Sequence, residues 1–260
     1  MSDNGETGRM RRLLYLPYGL YVWLAFAPCA LAALLAAVAV PGIERRRRAV
    51  HAVARGFLRI AGMPMQLTGL ERIPAGQCVV VANHASYLDG IVMKAALPPR
   101  FAYVVKREMD RFPLAGLLLR RIGTEFVERF NRHRGASDAR RVLRTATGGQ
   151  SLVFFPEGTF STRPGLLKFH SGAFATAVRA GCPVVPAVIR GSRAILPSSR
   201  LLPRPGRIDV EFLAVLDPRE SDPERATLDL RDRARAMILG RLGEPDLGGH
   251  RDAGGVPGRD

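Results

Sequence analysis

Lysine is nearly missing from a chain that is otherwise strongly basic. Of 39 lysines and arginines in 260 residues only Lys94, Lys106 and Lys168 are lysines, yet the formal net charge is +16. Part of the arginine excess accompanies a composition rich in Ala and Gly and reads as coding bias, so the charge points to anionic lipid headgroups or phosphorylated substrates. Nucleic acid is not an expected partner, because neither an aromatic and basic RNA-binding pattern nor zinc-finger spacing occurs. An ammonium is a compact point charge where a guanidinium is a planar fork, so the three surviving lysines are candidates for positions that need the former. Cysteine is equally scarce. Cys29, Cys78 and Cys182 are scattered without metal or redox spacing, which fits small apolar fillers in a reducing compartment. There is no Gly-x-Ser-x-Gly elbow, which argues against a serine hydrolase, and no internal repeat.

Charge of either sign is absent from Leu13 to Val40, a run long enough to cross a hydrocarbon core of roughly 30 Å. This segment is expected in the membrane. A cleaved signal peptide fits poorly, since the apolar region is too long and Arg45 to Arg48 follow it directly. Arg9, Arg11 and Arg12 precede the run and Arg45 to Arg48, Arg55 and Arg59 follow it, so the flanks do not set an orientation. A re-entrant helical hairpin broken near Pro28 would keep both flanks cytoplasmic; a single span is the alternative. Ala49 to Ile60 has helical spacing and is expected on the membrane surface, its arginines meeting anionic headgroups.

Beyond residue 60, apolar runs of strand length at Cys78 to Ala82, Phe101 to Val105, Ser151 to Phe155, Val184 to Ile189 and Ile208 to Leu213 alternate with helical patterns. The helices are predicted at Ser86 to Ala96, Pro113 to Ile122, Ser137 to Ala146 and Gly172 to Ala180, with a last packing helix at about Glu224 to Leu242. Alternation of this kind predicts an α/β fold, a mostly parallel sheet covered by helices, preceded by the N-terminal membrane-embedded helical segment. The expected organisation is residues 1–60 as membrane segment and basic interfacial helix, 61–243 as the catalytic domain, and 244–260 as a disordered tail. In such sheets the chemistry sits outside the carboxyl ends of strands.

His84 and Asp89 fall at such an end, in Val80-Val-Ala-Asn-His-Ala-Ser-Tyr-Leu-Asp-Gly90. A histidine can take a proton from a hydroxyl near neutral pH, and an adjacent carboxylate fixes its tautomer and stabilises the imidazolium. The spacing alone is commonplace, and Ser86-Tyr-Leu-Asp89 also has the spacing of a capping box that would merely open a helix. Three more blocks follow in order: Gly123-Thr-Glu-Phe-Val-Glu-Arg129, Phe155-Pro-Glu-Gly-Thr159 and Val184-Val-Pro-Ala-Val188. Together they resemble the glycerolipid acyltransferases, best known for the 1-acylglycerol-3-phosphate O-acyltransferases, over about residues 65–215.

The resemblance implies an O-acyltransferase with His84 as base and Asp89 as its orienter, Arg129 and Glu157 as acceptor-binding residues, and Gly158 allowing close backbone approach. It implies an acyl-CoA or acyl carrier protein thioester as co-substrate, a lysolipid acceptor, no cofactor and no metal, and a place on the inner membrane with the catalytic domain cytoplasmic. Backbone N–H groups at the start of the helix after His84 are the expected oxyanion donors. Two departures bear on the phosphate site. The third block often continues with Arg in the family where this chain has Phe160, so Arg163 is a candidate substitute. A Lys common in a following Phe-Lys-x-Gly block is replaced by His170, with Lys168 two residues earlier. Lys106 is a further candidate helper. Another lysophospholipid or a lyso-ornithine lipid is an alternative acceptor, and a non-catalytic lipid-binding protein of the same fold is the alternative from a different class.

Overall fold

The computed structural model describes residues 3–128 and 132–248, with side chains described for 15–128 and 135–248. The strands are β1 Met65–Thr68, β2 Val79–Ala82, β3 Ala102–Lys106, β4 Glu125–Val127, β5 Leu152–Phe154, β6 Val184–Arg190 and β7 Ile208–Phe212. They form one seven-stranded sheet in the order β1-β7-β6-β2-β5-β3-β4. Neighbours run parallel except β6 and β7, which are antiparallel. The helices are α1 Asp3–Ala39, α2 Ile43–Ile60, α3 Asp89–Ala96, α4 Pro113–Arg121, α5 Arg132–Thr147, α6 Gly172–Ala180, α7 Ser192–Ile195 and α8 Ala226–Leu242.

The Val-Val-Val-Ala run of β2 is apolar at every position because the strand is covered on both faces. Alternation divides it between two cores. Val80 and Ala82 pack with Val92, Phe101, Tyr103 and the α2 residues Phe57 and Leu58. Val79 and Val81 face the other way, onto Phe174 and Ala177 of α6 and Leu230, Ala234 and Ile238 of α8. Those α8 residues recur at helical spacing on one buried stripe.

Three expectations are corrected. The first concerns the N-terminal segment: α1 runs unbroken through Pro17 and Pro28, so the chain does not reverse near Pro28. It reverses at Pro41-Gly42, where Gly42 has φ 79, a left-handed conformation that a side chain disfavours. α2 then returns antiparallel along α1, with the hydroxyls of Tyr18 and Tyr21 donating to the carbonyls of Ala61 and Ile60 at 2.7 Å.

The second correction concerns the start of the helix expected at Ala49: α2 begins at Ile43 and takes in the basic cluster that precedes Ala49. Within that cluster Arg47 is buried, its guanidinium donating to the carbonyls of Ile122 at 2.8 Å and Arg100 at 3.2 Å and to Gln150 Oε1 at 2.8 Å. A buried guanidinium is tolerated because its donors reach these oxygens, and α2 is thereby tied to the domain.

The third is the start of the tail. Residues 244–248 are docked: Glu244 accepts from Gly165 N and pairs with Arg193 at 3.0 Å, and Leu247 N donates to Leu166 O at 2.9 Å. Composition alone does not register such pairing.

Candidate active site

β2 and β5 are adjacent parallel strands, so the segments that leave their carboxyl ends, from Asn83 and from Phe155, meet. Asn83 extends the ladder with its side chain, donating to the carbonyl of Ile189 at 2.9 Å and accepting from Ile189 N at 2.7 Å. The turn that follows carries His84. Its Nδ1 lies 2.9 Å from Asp89 Oδ2, and Asp89 is fully buried. With a carboxylate as acceptor, Nδ1 carries the proton and Nε2 is left with the lone pair.

Asp89 Oδ2 also accepts from the backbone N–H of Ala85 at 2.6 Å and of Ser86 at 2.8 Å. The capping-box alternative is therefore half present. The carboxylate reaches back as the box requires, but the Ser86 hydroxyl donates to Leu196 O and accepts from Leu88 N instead of from Asp89 N. One residue thus holds both the turn and the imidazole. The N–H groups of residues 84 to 86, 88 and 89 all have partners, so the oxyanion donors expected immediately after His84 are engaged elsewhere.

Glu157 is placed differently from its expected role at the acceptor. Its side chain is buried, with Oε1 accepting from His84 N at 2.6 Å and Oε2 from Leu167 N at 2.8 Å. Burial pushes its carboxyl up to about 7, against the opposing effects of those two N–H groups and of Arg193. With both oxygens on backbone donors, it positions the His84 turn and the 158–167 segment. Gly158, at φ 71, closes the turn in which its N–H donates to Phe155 O at 2.9 Å.

Aromatic rings enclose the imidazole. Phe155 stacks on His84 with centroids 4.4 Å apart, Phe160 meets it edge-on at 4.5 Å, and Tyr87 packs on Phe160 at 4.8 Å. Phe160, a departure in the sequence, is therefore a wall of the site. Of the basic candidates, Lys106 ends β3 and is exposed, as are Arg163 and Lys168 on the segment after Gly158. Arg129 lies outside the described residues. It follows β4, which is three strands from β2, roughly 14 Å at the usual strand spacing. Among the described residues no group of three or more His, Cys, Asp or Glu is placed to hold a metal ion.

Sequence reasoning missed a cavity of about 320 Å³ beside this site. Its wall includes Phe26, Cys29, Ala30 and Ala33 of α1, Gly90 and Ile91 of α3, and the rings of Tyr87 and Phe155. The α1 positions are spaced i, i+3, i+4 and i+7, a helical face that the sequence does display.

The fold and site define an acyltransferase, and comparison with known proteins agrees. The sequence profile of the Acyltransferase family matches residues 64–190. A 1-acyl-sn-glycerol-3-phosphate acyltransferase of Neisseria meningitidis is 30% identical over 212 residues, covering 75% of this chain and 82% of that one. A lyso-ornithine lipid O-acyltransferase of Pseudomonas aeruginosa is 33% identical over 144 residues, 54% of this chain and 53% of that one. The crystal structure of PlsC, the 1-acyl-sn-glycerophosphate acyltransferase of Thermotoga maritima, superposes with a TM-score of 0.73 at 22% identity, covering 89% of this chain and 97% of that one. The chain belongs to the lysophosphatidic acid acyltransferase family and is an O-acyltransferase.

Proposed function

We propose that this enzyme moves an acyl group from an acyl-CoA or acyl carrier protein thioester to the free hydroxyl of 1-acylglycerol-3-phosphate, giving phosphatidic acid. The observation that carries the reading is the His84–Asp89 pair, 2.9 Å apart, beside an apolar cavity whose Phe155 wall stacks on the imidazole. His84 Nε2 takes the hydroxyl proton as the oxygen attacks the thioester carbonyl, and Asp89 stabilises the imidazolium. Thiolate leaves readily, so the step as written needs neither metal nor cofactor. The acyl chain lies in the cavity. The oxyanion donors come from the first turn of α3 beyond Asp89, whose Gly90 and Ile91 border that cavity. Arg129, helped by Lys106, Arg163 and Lys168, holds the phosphate and so places the hydroxyl at His84.

The reading includes the membrane. Within Tyr15–Ala39 the most apolar 18-residue stretch has a mean hydropathy of 2.3 and only 17% of it is buried, so most of that surface would otherwise meet water. Leu20, Leu24, Leu31 and Leu35 are all more than half exposed. The other face of α1 packs on the domain from Tyr18 to Ala37, and Trp23 Nε1 donates to Leu201 O at 2.9 Å. A helix flanked by protein for that length lies against one leaflet, here the cytoplasmic leaflet of the inner membrane, with the exposed arginines of α2 towards anionic headgroups.

Purified full-length enzyme with labelled thioester donor and a panel of lysolipids tests this. Lysophosphatidic acid is expected to give the highest kcat/KM. Phe160 in place of a guanidinium beside His84 supports a second reading, a lyso-ornithine lipid acceptor; equal or faster turnover of a phosphate-free acceptor would establish it instead.

A further inference from the structure

Between β5, which ends at Phe154, and α6, which begins at Gly172, the chain forms neither helix nor strand. Irregular stretches of that length inside a compact domain are uncommon and usually serve function, and their backbone groups need partners. The first residues of this one enclose His84: Phe155 and Phe160 pack on the imidazole, and Glu157 accepts from its backbone N–H. The middle is held from the far end of the chain. Gly165 N donates to Glu244 Oε2 at 2.6 Å, Leu166 N to Pro245 O at 2.9 Å, and Leu247 N to Leu166 O at 2.9 Å.

Two arginines complete the attachment, and a carboxylate of the same tail grips each of them. Arg193 of α7 donates to Ser161 O at 2.7 Å, while Glu244 accepts from its Nε at 3.0 Å and its Nη2 at 3.1 Å. Arg235 of α8 donates to the carbonyls of Leu166 and Leu167, both at 3.0 Å, and to Asp246 Oδ2 at 3.1 Å. A carboxylate bound to both arms of a guanidinium leaves it one orientation, so the tail holds this segment directly and also fixes the two groups that bind its carbonyls. The tail is itself rooted in a fixed element, because Leu230, Ala234 and Ile238 of α8 lie in the core.

We propose that residues 244–247 are a strap that positions the 158–167 segment against His84, with Glu244 as the principal positioning residue for acyl transfer. Of the stretch between β5 and α6 only Phe155 borders the acyl-sized cavity. The strap therefore bears on the acceptor side, where Phe160 walls the base and Arg163 and Lys168 stand. The inference rests on the proposed binding of the acceptor there.

Full-length wild type, Glu244→Ala and Glu244→Gln are assayed with lysophosphatidic acid and whichever of palmitoyl-CoA and palmitoyl-acyl carrier protein wild type uses. Amide hydrogen exchange is followed over residues 158–167. Alanine removes both attachments; glutamine keeps an oxygen for Gly165 N and loses the charge that fixes Arg193. In Glu244→Ala exchange should quicken and kcat/KM for lysophosphatidic acid fall by about 10- to 100-fold, since a small misplacement of a site wall costs rate on that order. Glu244→Gln should fall between that variant and wild type. KM for the donor and the melting temperature should stay near wild type, which a general loss of structure would not allow. Faster exchange at unchanged kcat/KM overturns the proposal and leaves a structural clasp. Unchanged exchange overturns it too, as does an early melt with donor and acceptor KM rising alike. If wild type turns over another lysolipid faster, the proposed acceptor fails and the same ratios on that lipid decide the strap; no transfer to any lysolipid sinks both.

Discussion

Asp89 Oδ2 lies 2.9 Å from His84 Nδ1 and accepts from two backbone N–H groups at the same time. Orienting the imidazole and building the turn are therefore inseparable at this residue. His84→Ala is expected to lower kcat by about 10² to 10⁴ while leaving the melting temperature near that of wild type, because loss of a general base acts on the barrier. Asp89→Asn should lower kcat and also destabilise by about 1–3 kcal/mol, since its amide matches the three donors poorly. Wild-type turnover in His84→Ala would remove the mechanism; an Asp89→Asn that melted early at full rate would leave only the turn.

Glu157 makes a pH prediction with a definite sign. Its carboxyl titrates at about 7 in the fold against 4.5 as the ordinary value. The folded protein holds that proton more tightly, so the group's contribution is full below about pH 4.5 and is lost as pH rises through about 7. The amplitude is roughly 3 kcal/mol. Denaturant melts of wild type and Glu157→Gln across this window should show the difference between them changing by that order. A constant difference would mean that the carboxylate stays ionised throughout.

If Arg129 holds the acceptor's phosphate as proposed, Arg129→Ala is expected to raise KM for lysophosphatidic acid and to lower kcat, because one contact would both bind the phosphate and set the hydroxyl. KM for the acyl donor should scarcely move. A variant that still favoured phosphate-bearing acceptors as strongly as wild type would shift the assignment to Lys106, Arg163 or Lys168.

For α1, the exposed leucines separate lipid contact from folding. Leu20 and Leu24 are 60% and 66% exposed, so Leu20→Glu with Leu24→Glu should leave thermal stability nearly unchanged. Vesicle flotation should show the protein released, as each apolar side chain withdrawn from lipid forfeits about 1.5–3 kcal/mol. Undiminished flotation would place the lipid contact on another face.

Much of the sheet was legible because burial on both faces leaves uninterrupted apolar runs, as in Val79–Ala82 and Val184–Arg190. The helix at Gly172–Ala180 has the bounds its spacing predicts. Edge strands carry less signal: Met65–Thr68 alternates between half-buried and exposed, and Glu125–Val127 is three residues with a charged end. His84 and Asp89 stood out through the order of four blocks. The packing of Phe155 and Phe160 on the imidazole did not, because it depends on which strands are neighbours. The place of Arg47 was not legible for a related reason. A run of arginines on a helix indicates a polar face, but only the docked structure reveals that one of them points inward to the carbonyls of Arg100 and Ile122.

Phe26, Cys29, Ala30 and Ala33 make α1 a wall of the cavity, while Leu20, Leu24, Leu31 and Leu35 of the same helix face outward. On the proposed function, one helix therefore has two clients, the bilayer and the acyl chain in the pocket. Thermodynamic linkage makes their effects mutual: whatever lipid contributes to seating α1 strengthens the grip on the acyl chain, and a filled pocket tightens the hold on lipid by the same factor. Detergent and bilayer should accordingly yield different donor affinities from the same polypeptide, with the solubilised enzyme the looser of the two.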